Sequence, residues 1–155
     1  MSTRLTEKGV SMVDSQSLKL LFCAMEVNDS ISNYLSNRLK SKGYEAASVS
    51  VLNFLSQLEC GVNYGSEIAR SIGVSRQMVA KTVKELCRIG YLEQAEGVGR
   101  QKQILFTDLG EQLMSDSRLL LAELDNVLFE AMGESGVEET INRLVRVQAL
   151  AAQIE

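Results

Sequence analysis

Apolar residues recur along most of this chain at spacings of three, four and seven, a period that predicts a helical protein. The first stripe holds Leu18, Leu21, Phe22, Met25, Ile31, Leu35 and Leu39; Asp14 or Ser15 can cap it and Gly43 can stop it. One helix of ~40 Å follows from the rise per residue, interrupted on its apolar side at Asn28 and Ser32. A second amphipathic stretch covers 46–59 through Val51, Leu52, Leu55 and Leu58. Gly61-Val62-Asn63 reads as a turn or a very short strand. A short helix over 65–72 turns Ile68 and Ile72 inward, and a longer one over 75–89 buries Val79, Val83 and Leu86. The helical period then lapses, and Tyr91–Glu96 and Gln101–Phe106 read as a hairpin with the tip Gly97-Val98-Gly99-Arg100. Helical spacing returns after Thr107, a natural cap, with Leu113, Leu120, Leu121, Leu124, Val127, Leu128 and Ala131. That stripe is wide enough to be covered over a broad arc. Gly133 to Gly136 is expected to break the helix. Ser135 and Glu138 have the spacing of a capping box for a last helix carrying Val137, Ile141, Leu144, Val145 and Leu150.

The stretch from Tyr64 to Thr107 organises the rest. Ala69 is small where two helices must cross closely. Gly73 follows, where the turn between them needs positive φ. Val79 comes next on the buried side of the second helix. This is the layout of a helix-turn-helix, and the hairpin after it makes the motif winged. Ser75 is an N-cap for the second helix. Arg76, Gln77, Lys81 and Lys84 fall off the buried stripe. An Arg can bond two acceptors of guanine and a Gln two atoms of adenine, while lysines suit phosphates. Ser66 and Ser75, in or before a first helical turn, also suit a phosphate. Arg100 and Lys102 make the wing cationic, and an Arg there is drawn to the potential of a narrow minor groove.

Ser66-Glu67-Ile68-Ala69, Gly73-Val74-Ser75-Arg76-Gln77, Val83-x-x-Leu86, Gly90-Tyr91-Leu92 and Phe106-Thr107-x-x-Gly110 together resemble the MarR family of bacterial transcription regulators. The resemblance extends more weakly over the whole chain. It implies one long helix before the motif and two after it, a homodimer, and response to small phenolic or lipophilic ligands or to oxidants acting on a cysteine. In that family an Asp usually stands two residues before the wing Arg and pins it. This chain has Val98 there, and Glu96 is the alternative carboxylate.

Charge sharpens the picture. From Tyr64 to Thr107 seven Lys and Arg face four Glu, a net +3 in a chain whose whole charge is −4. Basic charge is thus concentrated in the motif, as a DNA footprint requires. Across 155 residues the chain has no histidine, which removes Ser-His and Cys-His nucleophile pairs and the commonest metal ligand. Gly97-x-Gly99 precedes a strand instead of opening a helix, so it is no nucleotide fingerprint. No enzyme, metal or cofactor is expected. The three cysteines, Cys23, Cys60 and Cys87, are odd in number and far apart, which points to a reducing compartment and no disulfide framework. The first residues show no apolar leader and no run reaches a membrane span, so a cytoplasmic location and no membrane partner are expected.

The expected architecture is therefore mainly α: a winged helix-turn-helix, a three-helix core plus two-stranded wing, with long N- and C-terminal dimerisation helices. Residues 1–13 form an arm, 14–43 and 108–155 the dimerisation helices, and 44–107 the DNA-binding domain. Leu18, Leu21, Phe22, Leu120, Leu124, Val127, Ile141 and Leu144 are assigned to the dimer interface, because these helices carry more apolar surface than the lobe needs. A two-fold pair would set its recognition helices on a palindromic operator in double-stranded DNA. Cys23 is open to two readings, an oxidant sensor or a packed thiol; Cys60 and Cys87 are expected to pack. The functional expectation is a dimeric DNA-binding regulator, a repressor released by an effector. The competing expectation is a winged-helix module that binds protein, which would show an apolar patch where the cations stand.

Overall fold

The computed structural model describes residues 12–154. Most of the expected N-terminal arm, residues 1–11, lies outside the described residues. Met12–Asp14 make one 3-10 turn. Six α-helices and a hairpin follow among the described residues: Gln16–Ser41 (α1), Val49–Glu59 (α2), Gly65–Ile72 (α3), Arg76–Ile89 (α4), Leu92–Glu96 (β1), Lys102–Phe106 (β2), Asp108–Met132 (α5) and Glu134–Ala152 (α6). The fold is the one the hydrophobic pattern predicts, a winged helix-turn-helix between long terminal helices.

Four helix starts are set by hydroxyl caps. The amides of Leu18, Val51, Met78 and Gly110 donate to the side-chain oxygens of Ser15, Ser48, Ser75 and Thr107 at 3.1–3.3 Å. Each satisfies a donor that the helix itself leaves orphaned. Two expected boundaries move. α2 starts at Val49 and not at 46, because Ala46 takes a left-handed φ of 53° and Ser48 caps the chain after it. The Ser135–Glu138 capping box does not form. Gly133, at φ 76°, ends α5 and α6 starts at Glu134, so Ser135 and Gly136 are already helical.

One continuous core joins the helices to the lobe. Leu35 and Leu39 of α1 and Leu113, Met114 and Leu120 of α5 meet Leu55, Ile68, Val79, Val83, Leu86, Tyr91 and Ile104. Leu120 was assigned to the dimer interface; at 2% exposure it is enclosed by its own chain, packed between α5 and the α1 side of the core. The hairpin pairs antiparallel, Leu92 opposite Phe106 and Glu96 opposite Lys102. Asn63 forms no strand, but its carbonyl accepts the Ile104 amide at 2.8 Å, which fastens the segment before α3 to β2.

The close of the wing explains the Thr-x-x-Gly motif. The Thr107 hydroxyl donates to the Gly90 carbonyl and caps α5, and the Thr107 amide donates to Tyr91 at 3.1 Å. A Cβ on Gly110 would lie 2.1 Å from the Tyr91 carbonyl oxygen, so only glycine lets α5 approach that closely. Tyr91 is anchored in turn, its hydroxyl donating to the Glu45 carbonyl at 2.5 Å. Burial pushes its phenol up. Beside it, Tyr44 donates to Asp116 at 2.6 Å.

Candidate nucleic-acid interface

The turn between α3 and α4 depends on Gly73, left-handed at φ 71°, and on the Val74 amide donating to Ala69 at 3.0 Å. With Ile68 and Ala69 buried below and Val79, Val83 and Leu86 buried above, one face of α4 is committed to the core. The helical period then dictates the rest. Gln77, Lys81 and Lys84 stand on the outward face, and all three are exposed. Arg76, in the first turn, points toward the wing.

Between α4 and the hairpin lies a cleft of about 390 Å³. Ser66 and Gly65 form its floor with Val79, Ala80 and Val83, while Arg76, Arg100 and Lys102 are its cations and Gln94 and Gln101 its amides. No carboxylate among the described residues lines it. The structure therefore brings Ser66, Arg76, Arg100 and Lys102 together, and leaves Gln77, Lys81 and Lys84 on the adjoining outer stripe. Ser75 is exposed at the head of α4, with its hydroxyl oxygen already accepting the Met78 amide. Gln94 and Gln101 were not singled out from sequence; their role depends on the hairpin's position over α4, which no local pattern encodes.

Arg76, Lys81, Lys84, Arg100 and Lys102 have no ion-pair partner among the described residues. Arg88, on the same outward stripe, differs. It reaches Glu85 at 2.8 Å and Glu45 at 3.1 Å. The hydrogen bond to Arg88 holds the Glu85 carboxyl below its ordinary value, and the two carboxylates hold the guanidinium above its own. Glu96, the alternative partner for the wing Arg, does not bond to Arg100. It lies across the hairpin from Lys102.

The other assigned residues lie on the long helices. Leu18 and Leu124 are half-buried, and Leu21, Phe22, Val127, Ile141 and Leu144 are exposed. No residue of α6 is buried. The expectation that Cys60 packs is not met, and of the two readings of Cys23 the packed thiol is not seen. Cys23 and Cys60 are exposed, the first on a face of α1 that the chain does not bury and the second at the C-cap of α2. Cys87 is half-buried against the core, and burial pushes its thiol up. Cys23 edges an apolar cavity of about 500 Å³ between α1 and α5 whose only charged lining residue among the described ones is Glu26. No cluster of His, Cys, Asp and Glu fit to hold a metal occurs among the described residues, and none of their helices is long and apolar enough to cross a membrane.

The arrangement defines a class: a winged helix-turn-helix protein with extended terminal helices. Its fold is that of solved MarR-family transcription regulators. MarR from Staphylococcus aureus, solved in complex with salicylate and kanamycin, superposes with a TM-score of 0.72 at 14% identity, over 92% of this chain and 97% of that one. A MarR mutant from E. coli complexed with operator DNA gives 0.70 at 16% identity, over 88% and 99%. The S. aureus MepR–DNA complex gives 0.67 at 14% identity, over 84% and 96%. No protein-family model and no curated protein matches the sequence.

Proposed function

We propose that this chain is a cytoplasmic, homodimeric regulator that represses transcription by binding a palindromic operator, and that a small apolar ligand releases it. One observation carries the reading: Ser66, Arg76, Arg100 and Lys102 converge on a cleft without a carboxylate, beside the exposed stripe of Gln77, Lys81 and Lys84. Unpaired cations gathered on one face of a chain of net charge −4 suit a local phosphate footprint. α4 is free to enter a major groove and the wing tip to reach the flanking minor groove.

The dimer is supported by the exposed apolar residues of α1, α5 and α6, most of all by a last helix that its own chain leaves uncovered. Two-fold pairing would place two α4 helices ~34–36 Å apart, one DNA turn. The DNA reading is supported by the two structural neighbours crystallised on DNA, and the effector reading by the one holding salicylate. An oxidant is the weaker trigger, since the cavity beside Cys23 carries no cation.

Fluorescence anisotropy on the DNA upstream of the protein's own coding sequence, against scrambled DNA at two salt concentrations, tests the proposal. A preference of ~10³ or more for the native fragment is expected, as for specific binders generally. Absence of binding to either duplex at low salt would overturn it in favour of a winged-helix module that binds protein.

A further inference from the structure

The tip of the wing rests on a side chain from another element. Tyr64 is the residue before α3, and its side chain makes no cap there. Its hydroxyl oxygen instead accepts the Val98 amide at 3.3 Å, across 34 residues of sequence. A Cβ built on Gly97 would lie 2.6 Å from the Gln101 carbonyl oxygen, 2.7 Å from Tyr64 Cε1 and 3.0 Å from its Oη, so the glycine backbone is closed in by the turn on one side and by the phenol ring on the other. The Gln101 amide closes the tip by donating to Val98 at 3.3 Å, with Gly99 left-handed at φ 64°. Arg100 stands inside that closed turn.

Arg100 has no ion-pair partner among the described residues, and the residue two positions before it is the apolar Val98. What orients the guanidinium is therefore the backbone it grows from. That backbone is lashed to one segment at two points: Ile104 to the Asn63 carbonyl and Val98 to the Tyr64 hydroxyl. We propose that Tyr64 is a positioning residue for Arg100, holding the wing tip at the height and angle from which Arg100 contacts DNA. The inference rests on the DNA-binding reading above.

The test is a double-mutant cycle read by anisotropy on the duplex upstream of the protein's own coding sequence. Arg100→Ala and Tyr64→Ala should each weaken binding roughly fivefold or more, as loss of one DNA-contacting Arg does. The pair should be no weaker than either alone, because an Arg that is no longer aimed has little left to lose. Tyr64→Phe, which keeps the ring, should recover part of the loss. Arg76→Ala should cost the same in the Tyr64→Ala background as in the native one. If Tyr64→Ala does not fold, Tyr64→Phe, which removes only the acceptor of the Val98 amide, replaces it in the cycle. Multiplying losses for Tyr64 and Arg100 would overturn the proposal. In the free protein, the Val98 amide should exchange with solvent faster in Tyr64→Phe, and an unchanged rate would overturn it without reference to DNA. A native protein that binds no DNA would instead sink the DNA-binding reading, while the amide measurement still decides whether Tyr64 holds the tip.

Discussion

Arg88 and Glu45 meet at 3.1 Å across the joint between α4 and the α1–α2 loop. The same guanidinium holds Glu85 one turn back, donating to both of its carboxylate oxygens. By helical position Arg88 belongs with Lys81 and Lys84, yet its charge is spent within the protein. Arg88→Ala should therefore leave the salt dependence of DNA binding nearly unchanged. Lys81→Ala and Lys84→Ala should each flatten the slope of log affinity against log salt by about one. A matching drop for Arg88→Ala would show that it leaves Glu45 and Glu85 for a phosphate.

Arg76 and Gln77 are adjacent in sequence but not in setting. Arg76 lines the cleft under the wing, and Gln77 projects from the outward stripe. Alanine at either should cost ~1–3 kcal/mol of DNA affinity and relax base preference at its own position in the operator. Selection of bound sequences from a randomised duplex checks this. Unaltered base preference in both variants would mean the recognition face has been placed on the wrong side of α4.

Much of this was legible from sequence for a physical reason. Helical period, hydroxyl caps and the Gly73 turn are local, and local patterns survive in the chain as spacing. What was not legible depends on contacts between distant segments. The shelf under the wing joins Tyr64 to Val98. The left-handed Ala46 that delays α2 has no side-chain signature. The Ser135–Glu138 spacing suits a capping box, but Gly133 starts the helix first. Leu120 belongs to the same apolar stripe as Val127, and no periodicity tells which of them faces its own chain and which a partner.

Gly110 is the residue on which the wing's closure depends. Its missing Cβ would sit 2.1 Å from the Tyr91 carbonyl oxygen and 3.1 Å from the Phe106 ring, and the first is backbone that cannot swing away. Gly110→Ala should lower stability by ~1–3 kcal/mol or more, the usual cost of overpacking. In urea the midpoint should fall while the slope stays the same. An unchanged midpoint would show that α5 can slide off Tyr91 freely.

Tyr44 carries a pH dependence with a definite sign. Burial first, then the hydrogen bond to Asp116 and its negative charge, push the phenol up to about 12. The unfolded chain ionises this tyrosine near its ordinary value of ~10. The contribution is therefore complete below pH ~10 and is lost as pH rises toward about 12. Tyr44→Phe should flatten the fall of the urea midpoint over that alkaline interval, though not abolish it, since burial raises Tyr91 in the same direction. Equal slopes in the two proteins would show that Tyr44 ionises alike folded and unfolded.

The last helix gives the sharpest test of assembly. α6 runs for 19 residues, Ile141 and Leu144 are 54% and 45% exposed, and none of its residues is fully buried by its own chain. An amphipathic helix left bare in water has little to hold it folded, because packing of the apolar face supplies most of a short helix's stability. A partner's helices would cover that face, and α1 offers Leu21, Phe22 and Met25 in the same state, each more than half exposed. Ile141→Asp with Leu144→Asp places two charges where a dimer would exclude water. Light scattering should then report a monomer, while the winged lobe, whose core contains neither residue, stays folded by circular dichroism. Operator affinity should fall by ~10² or more, because one lobe alone loses the gain from linked half-sites. A native protein that is already monomeric at micromolar concentration, or a variant that stays dimeric and binds as before, would remove α6 from the interface.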